Sequence, residues 1–417
     1  MKKNALVAQS GGPTVVINAS LAGVVDACLK SDEVGVVYGG CNGIEGILNH
    51  QIIDLGAQVS TDELINQLKL TPSMALGSCR YKLPKEADHP EVYEKIRNIL
   101  DALNVGYFFY IGGNDSMDTA AKLGEYFARK GSDIRAIGVP KTIDDDLAVT
   151  DHTPGYGSAA KYIATSVYEV LRDVRSSNFK TVLVLEIMGR DAGFLTAAAA
   201  MPRFTGDVAP HLIYLPENDF VMAEFLEDVE ELLKTEKQVV VAVSEGIHFA
   251  DGRYVCEGED PSKQEVDSFG HKQLSGTASY LAQVCKEKFG VRVRSIEYGA
   301  LQRCAAHCNS KVDVDEAFEI GHVAVKAALE GETCKFVCVT RVSNNPYTVE
   351  YSLIDTKLVA NAEKKAPASW FNERKNGLTQ EAADYILPLI QGNIPLPEKN
   401  GLPDFIKLNL TDYVTIG

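Results

Sequence analysis

The sequence predicts an α/β protein with mainly parallel sheets covered by helices on both faces. Three observations predict it. Short apolar runs of strand length alternate with amphipathic stretches of helix length. The runs are nearly continuous in apolar residues, as strands buried on both faces must be. Polar, glycine-rich motifs sit where those runs end, which is where open α/β sheets bind their ligands.

The first strand is expected over 5–9, stopped by Ser10-Gly11-Gly12-Pro13, with a helix over 14–30. A strand over 34–38 runs into the loop Gly39-Gly40-Cys41-Asn42-Gly43. The run 106–111 is a strand ending in Gly112-Gly113 and followed by a helix over 116–130. The strand 134–139 stops at Pro140, which cannot donate to a ladder. A helix over 158–174 precedes a buried strand over 181–187, and further strands are expected over 238–244 and 291–297. Helices fit 222–235, 274–289 and 314–329. The Pro/Gly-rich segments 202–216 and 257–275 read as surface loops. The tail after Trp370, with Pro388, Pro395, Pro397 and Pro403, reads as a surface wrap.

With 417 residues, 45% hydrophobic and 24% charged, the chain has the composition of an ordinary soluble globular protein. That excludes a disordered tail, a collagen-like repeat and a small disulfide scaffold. The length suggests roughly two to three domains. A net charge of −16 argues against a nucleic-acid binder, which needs a basic face. It leaves small anionic substrates open, because a few cations reverse the field inside a cleft. No apolar stretch approaches the ~20 residues of a membrane span. Lys2-Lys3 precedes too short an apolar run for a signal peptide, and nine scattered cysteines suit reduced thiols, so a cytoplasmic location is expected. The groupings Cys304/His307/Cys308 and Cys334/Cys338 lack zinc-site spacing and read as packing thiols.

Six groups at successive strand ends could carry chemistry. Ser10-Gly11-Gly12-Pro13-Thr14 lets backbone N–H groups and a helix N-terminus approach an anion. It matches neither the P-loop nor the G-x-G-x-x-G fingerprint, and alone it is equally a tight turn. Gly112-Gly113-Asn114-Asp115-Ser116 follows the same phosphate logic, or is a glycine turn with Asp115 as a helix cap. An Asp in a phosphate loop repels what the loop attracts, so it needs a functional reason. Pro140-Lys141-Thr142-Ile143-Asp144-Asp145-Asp146 places three carboxylates on one loop. They are solvated, paired or metal-bound, and one beside a Lys can serve as a general base. Met188-Gly189-Arg190-Asp191-Ala192-Gly193 offers the planar fork of Arg190 to a phosphoryl group. Ser244-Glu245-Gly246 offers a carboxylate to sugar hydroxyls, and Gln302-Arg303 near Arg294 offers a second phosphate clamp.

These motifs, together with Thr153-Pro154-Gly155-Tyr156-Gly157-Ser158-Ala159-Ala160-Lys161-Tyr162 and Leu301-Gln302-Arg303, stand in the order and spacing of the phosphofructokinase superfamily, which the first 330 or so residues resemble. The resemblance implies two Rossmann-like three-layer domains facing across a cleft. One would comprise 1–155 plus about 304–355 and bind diphosphate. The other would comprise 156–303 plus part of the C-terminal tail and bind the sugar phosphate. ATP-using members carry Gly where Asp115 and Lys141 stand; diphosphate-using members carry Asp and Lys. On that resemblance, Asp115 would occupy and repel the place of an ATP α-phosphate, and Lys141 would supply a cation to diphosphate and to the transition state.

The resemblance therefore implies reversible phosphoryl transfer from diphosphate to the 1-hydroxyl of fructose 6-phosphate, with Mg²⁺. Asp144 would be the base, with Lys141 and Arg190 beside it. Gly11, Gly12, Arg80, Asp115, Ser116 and Lys141 would bind diphosphate. Thr142, Ile143, Asp144, Met188, Gly189, Arg190, Glu245, Arg294, Tyr298 and Arg303 would hold the sugar, with Arg294 reaching across a subunit interface. Asn114, Asp144 and Asp146 would serve the metal. Three departures stand out. Asn114 replaces a common Asp, Asp145 replaces a common Asn, and Ala300 replaces a common His or Tyr, with Tyr298 or Glu297 as substitutes. The competing readings are an ATP donor, sedoheptulose 7-phosphate as acceptor, and a non-catalytic sugar-phosphate sensor. A homodimer or homotetramer is expected.

Overall fold

Residues 2–258, 274–360 and 362–416 are described by the computed structural model. In chain order the main strands are β1 (Lys3–Gln9), β2 (Val34–Gly40), β3 (Ile52–Asp54), β4 (Val105–Gly112), β5 (Arg135–Pro140), β6 (Thr181–Ile187), β7 (Leu212–Tyr214), β8 (Gln238–Ser244), β9 (Arg292–Glu297), β10 (Lys335–Asn344) and β11 (Tyr347–Asp355). They form a seven-stranded sheet in the order β11-β10-β5-β4-β1-β2-β3 and a four-stranded sheet in the order β7-β8-β6-β9. The smaller sheet is wholly parallel. The larger one is parallel at its centre and antiparallel only at its two edges, β2/β3 and β10/β11.

The apolar runs work because every second residue serves a different layer. Ala5, Val7, Phe109, Ile111, Ile137 and Val139 face one side of the large sheet and pack with the helices Ile17–Lys30 and Lys311–Leu329. Leu6, Ala8, Phe108, Tyr110 and Ala136 face the other side and pack with Pro90–Ala102 and Asn114–Arg129. The small sheet repeats the scheme. Leu183, Leu185 and Val240 meet the helix Tyr156–Arg175, while Val182, Val184 and Val241 meet Met222–Thr235 and Thr277–Phe289. The helix Lys311–Leu329 returns the chain from the small sheet to the large one and crosses Ile17–Lys30 closely. A Cβ on Gly23 would collide with the Phe318 carbonyl, and one on Gly321 with backbone of the first helix.

Several expectations need correction. The first helix begins at Ile17, not Thr14, because Thr14 Oγ1 accepts the Val16 N–H and holds the turn outside the helix. The 202–216 segment is not only a loop: it carries β7, whose Leu212 and Ile213 are buried. The expected loop 257–275 falls mostly on 259–273, outside the described residues. The tail after Trp370 is not all surface wrap. The helix Gln380–Leu389 buries Ala382, Ala383, Ile386 and Leu389 in the core of the small-sheet half. Pro388 is accommodated because the Asp384 carbonyl it leaves free accepts the Asn344 side-chain amide at 3.2 Å. Past Ile394 the chain does run over the large-sheet half, where Val414 N–H donates to Ile52 O. Among the described residues no helix is long and apolar enough to cross a membrane, and no group of three His, Cys, Asp or Glu side chains is set to hold a metal.

Candidate active site

The carboxyl ends of β1, β4, β5, β6 and β8, with the turn after β9, meet around one cavity of about 370 Å³. One wall comes from the large sheet. Gly11 and Gly12 follow β1, Asn114, Asp115 and Ser116 open the helix after β4, and Lys141 to Asp146 follow β5. The Lys141 N–H donates to Gly112 O at 3.0 Å, so the β5 loop is tied to the end of β4. Lys141 is buried, and its Nζ donates to Gly12 O at 2.7 Å. Burial lowers its pKa to about 8, against the pull of Asp144 and Asp146; the nearby Arg303 and Arg80 lower it further. Ser116 Oγ and Ser10 Oγ lie 2.5 Å apart, joining the first two strand-end turns. Asp115 is not the helix cap: Gly113 holds that position, and Asp115 faces the cavity with an exposed side chain. The Asn114 Oδ1 is buried without a hydrogen-bond partner among the described residues.

The three loop carboxylates do not share one fate. Asp144 and Asp146 line the cavity. Loss of water raises the Asp144 pKa, against the charge of Lys141 and the Thr142 hydroxyl, which lies 3.4 Å from its Oδ2. Burial, with the Asp144 charge added, brings Asp146 to about 7. Asp145 turns the other way, into protein, at a φ of 58°.

The second wall comes from the small sheet. Met188, Arg190, Asp191 and Ala192 follow β6, and Glu245 follows β8. These two turns interlock: a Cβ on Gly246 would collide with the Arg190 carbonyl oxygen. Gly189 does not line the cavity; its N–H points at Glu245 Oε1, 3.5 Å away. Burial, with Asp144 nearby, raises the Glu245 pKa to about 8. Gln302 is fully buried and accepts the Met188 N–H at 3.1 Å, which locks the turn after β9 onto the turn after β6. That turn delivers Arg303 to the cavity, where its guanidinium also approaches Gly12 of the opposite wall. Thr142, Ile143, Arg80, Pro13, Gly113 and Glu363 complete the lining.

Tyr298, an expected sugar ligand, does not reach this cavity, and Arg294, expected to serve across a subunit interface, lies outside the cavity of its own chain. Arg294 sits in the middle of the edge strand β9, exposed, and pairs with Asp173 at 2.7 Å. Tyr298 is buried against Tyr162, with ring centres 6.0 Å apart, and its hydroxyl has no partner among the described residues. Conversely, Asp191, Ala192 and Glu363 line the cavity without having been singled out. Asp191 and Ala192 lie inside a motif already read, so nearness to Arg190 was the available signal. Glu363 arrives by pairing with Leu147 across more than two hundred residues of sequence, and nothing local marks it.

The sequence model of the family described as Phosphofructokinase matches residues 4–328. A Halomonas elongata protein named pyrophosphate–fructose 6-phosphate 1-phosphotransferase is 42% identical over 408 residues, 97% of this chain and 96% of its own. A Methylococcus capsulatus protein of the same name is 40% identical over 409 residues, again 97% and 96% of the two chains. The crystal structure of the pyrophosphate-dependent phosphofructokinase of Nitrosospira multiformis superposes with a TM-score of 0.86 at 38% identity, over 98% of this chain and 97% of that one. Identity at this level over nearly the whole length, on a cavity built by the same strand ends as the motifs, has one reading: the chain belongs to the phosphofructokinase family.

Proposed function

We propose that this chain transfers a phosphoryl group from diphosphate to the 1-hydroxyl of fructose 6-phosphate, giving fructose 1,6-bisphosphate and phosphate, reversibly. The observation that carries the reading is the donor wall. Lys141 is buried against the Gly11-Gly12 turn while Asp115 faces the same cavity, so the wall offers a cation to a small anion and a carboxylate to anything larger. Relatives bearing the diphosphate-dependent name support the same donor.

In this reading diphosphate lies against Gly11, Gly12, Arg80, Ser116 and Lys141. The sugar phosphate lies against Thr142, Ile143, Met188, Arg190, Glu245 and Arg303. The 1-oxygen attacks the near phosphorus in line, the bridging P–O bond breaks toward the departing phosphate, and Asp144 takes the hydroxyl proton. Its pKa, raised by burial against the charges of Lys141, Arg303 and Arg190, suits a base that must later return the proton. Lys141 and Arg190 offset the charge that builds on the transferring group.

A hard divalent cation fits the oxygen donors at the cavity, namely the unpartnered Asn114 Oδ1 and the carboxylates of Asp144 and Asp146. We assign Mg²⁺ to them, since it keeps several waters and substrate oxygens and needs few protein ligands. When bound, it supplies charge neutralisation on the diphosphate oxygens. The division into a donor domain (1–155 with about 304–355) and a sugar domain (156–303 with part of the tail) follows the two walls. A homodimer or homotetramer in the cytoplasm, with Arg294 serving a neighbouring copy, completes the reading.

A coupled assay with fructose 6-phosphate and Mg²⁺, comparing diphosphate with ATP, tests the proposal. Turnover with diphosphate alone is expected. Turnover with ATP alone would remove Asp115 and Lys141 as the donor determinants, and silence with both would point to another acceptor or to a sensor.

A further inference from the structure

The loop after β5 is held from behind by a part of the chain that no strand-end motif touches. Asp145 lies between the two cavity-facing carboxylates, is fully buried, and adopts a left-handed backbone that an Asp tolerates only with local support. Four donor groups stand around its carboxylate, two of them hydroxyls shared with carbonyls: that of Thr153 with Thr142 O and that of Tyr385 with Asp151 O. The Thr153 N–H and hydroxyl reach Oδ1 at 3.0 and 3.3 Å. The Tyr385 hydroxyl reaches Oδ2 at 2.5 Å, and Lys364 Nζ stands 3.2 Å from the same oxygen. Lys364 and Tyr385 come from the last sixty residues, and each also meets the Asp151 carbonyl, at 2.6 and 2.5 Å. The Lys364 N–H donates to the Asp146 carbonyl at 2.8 Å, so the same residue grips the loop through backbone and side chain. Tyr385 is fixed in turn by its helix in the core and by the Trp370 ring, 5.1 Å between centres.

We infer that Lys364 and Tyr385 are positioning residues for phosphoryl transfer, acting through Asp145 to keep Asp144 and Asp146 facing the cavity. The inference rests on the proposed work of that loop. Neither residue lines the active-site cavity; both border a second cavity of about 320 Å³ with Arg341 and Trp370. The physical ground is that a buried carboxylate which loses its cation becomes an uncompensated charge, whereas removing both partners together is close to neutral. Without Lys364 and Tyr385 the turn at Asp145 loses contacts that hold its side chain and the Asp146 carbonyl, and any shift of that turn displaces both neighbours. A site held within about half an ångström cannot tolerate such a shift.

The test is a double-mutant cycle on the full-length protein, read as kcat and KM with diphosphate and fructose 6-phosphate, or with ATP should that prove the working donor. K364M is expected to lower kcat on the order of 10- to 100-fold, the range of coupling between residues in one network, with both KM values held within about twofold. K364R should retain most of the rate, whereas Y385F, which removes one donor to Asp145, should lower kcat by about 3- to 10-fold with both KM values held, and a full rate in Y385F removes Tyr385 from the inference. D145N/K364M should recover to within about threefold of D145N, because the unpaired charge is gone. Full rate in K364M overturns the inference. So does a double mutant that falls as far as K364M, which indicates plain loss of packing. Should K364M fail to fold, D145N/K364M against D145N decides alone. D144N separates the two readings. Wild-type turnover that D144N abolishes and K364M leaves intact removes only the positioning inference, whereas normal turnover in D144N removes the base, and silence of the wild type with both donors removes both.

Discussion

The two walls of the cavity are built differently. The donor wall is closed by the chain itself: three adjacent central strands, β1, β4 and β5, end side by side, and their turns are stitched by Lys141 to Gly12 and by Ser10 to Ser116. The wall read as the sugar side hangs on a four-stranded sheet whose β9 edge is exposed; Tyr298, expected on it, is elsewhere, and Arg294, expected to reach a neighbouring copy, lies on that exposed edge. A small symmetric anion needs only dense charge and backbone donors, which adjacent strand ends supply. A sugar phosphate is longer and asymmetric, and its site must be gathered from turns that are locked together one by one. Gln302 on Met188 and Gly246 under Arg190 are those locks.

The largest test of this contrast lies where the walls meet. D144N should lower kcat by about 10²- to 10⁴-fold, the usual contribution of a positioned base, while leaving both KM values near wild type. Steady-state kinetics with each substrate varied checks it, and near-normal turnover would remove Asp144 as the base. Next, D115G/K141G should act on one wall only. The KM for diphosphate should rise and kcat fall, together by about 10²- to 10³-fold in kcat/KM, with the fructose 6-phosphate KM held. An equal rise in both KM values would mean that the walls are not separable.

Arg303 sharpens the comparison because it belongs to both sides. It is carried by the turn after β9, yet its guanidinium approaches Gly12. R303M should therefore raise both KM values, by about tenfold each if one charge-assisted contact is lost per substrate. A rise for the sugar alone would assign Arg303 to a single wall. Smaller still is the pH effect at Lys141. Its pKa in the free protein is depressed to about 8, so it is charged below that pH and loses its proton above it. The kcat/KM for diphosphate should accordingly fall by up to about tenfold per pH unit above 8. K141R, which keeps its charge, should flatten that limb. A limb that survives K141R belongs to another group.

What the sequence made legible is whatever is local. A glycine turn or charged residue directly after an apolar run is visible without a structure, because strand, turn and helix are adjacent in the chain. Asp115, Lys141, Asp144, Arg190 and Glu245 were all found that way, and all line the cavity. Lys364, Tyr385 and Glu363 were not, since what relates them to the β5 loop is packing across more than two hundred residues. Pro388 is one of the prolines on which the tail reads as a surface wrap. It reads as a helix breaker, but Asn344 and Arg341 of β10 satisfy the Asp384 and Tyr385 carbonyls, so the helix that presents Tyr385 survives it. The run of three aspartates concealed a division of labour that only backbone geometry reveals, with two facing the cavity and one anchoring the loop.

The smallest effect is expected at Arg294, and it bears most directly on why the sugar wall looks incomplete. Within its own chain this arginine pairs with Asp173, and both side chains are more than half exposed. Such a pair contributes about 0–1 kcal/mol, so R294A should leave the melting temperature almost unchanged. Its effect on the fructose 6-phosphate KM depends on whether a second copy brings the side chain to a cavity. In the dilute monomer the KM should match wild type under the same conditions, because the arginine lies outside its own cavity. In the associated state the R294A KM should exceed the wild-type value, as the reading of Arg294 as a ligand for a neighbouring copy requires. Sedimentation at each assay concentration identifies the state. A KM raised equally in monomer and oligomer would instead mean that β9 moves within one chain to complete the wall. No change in either state would leave the sugar phosphate to Arg190 and Arg303, and the difference between the walls would then lie in how they are locked, not in how many chains they need.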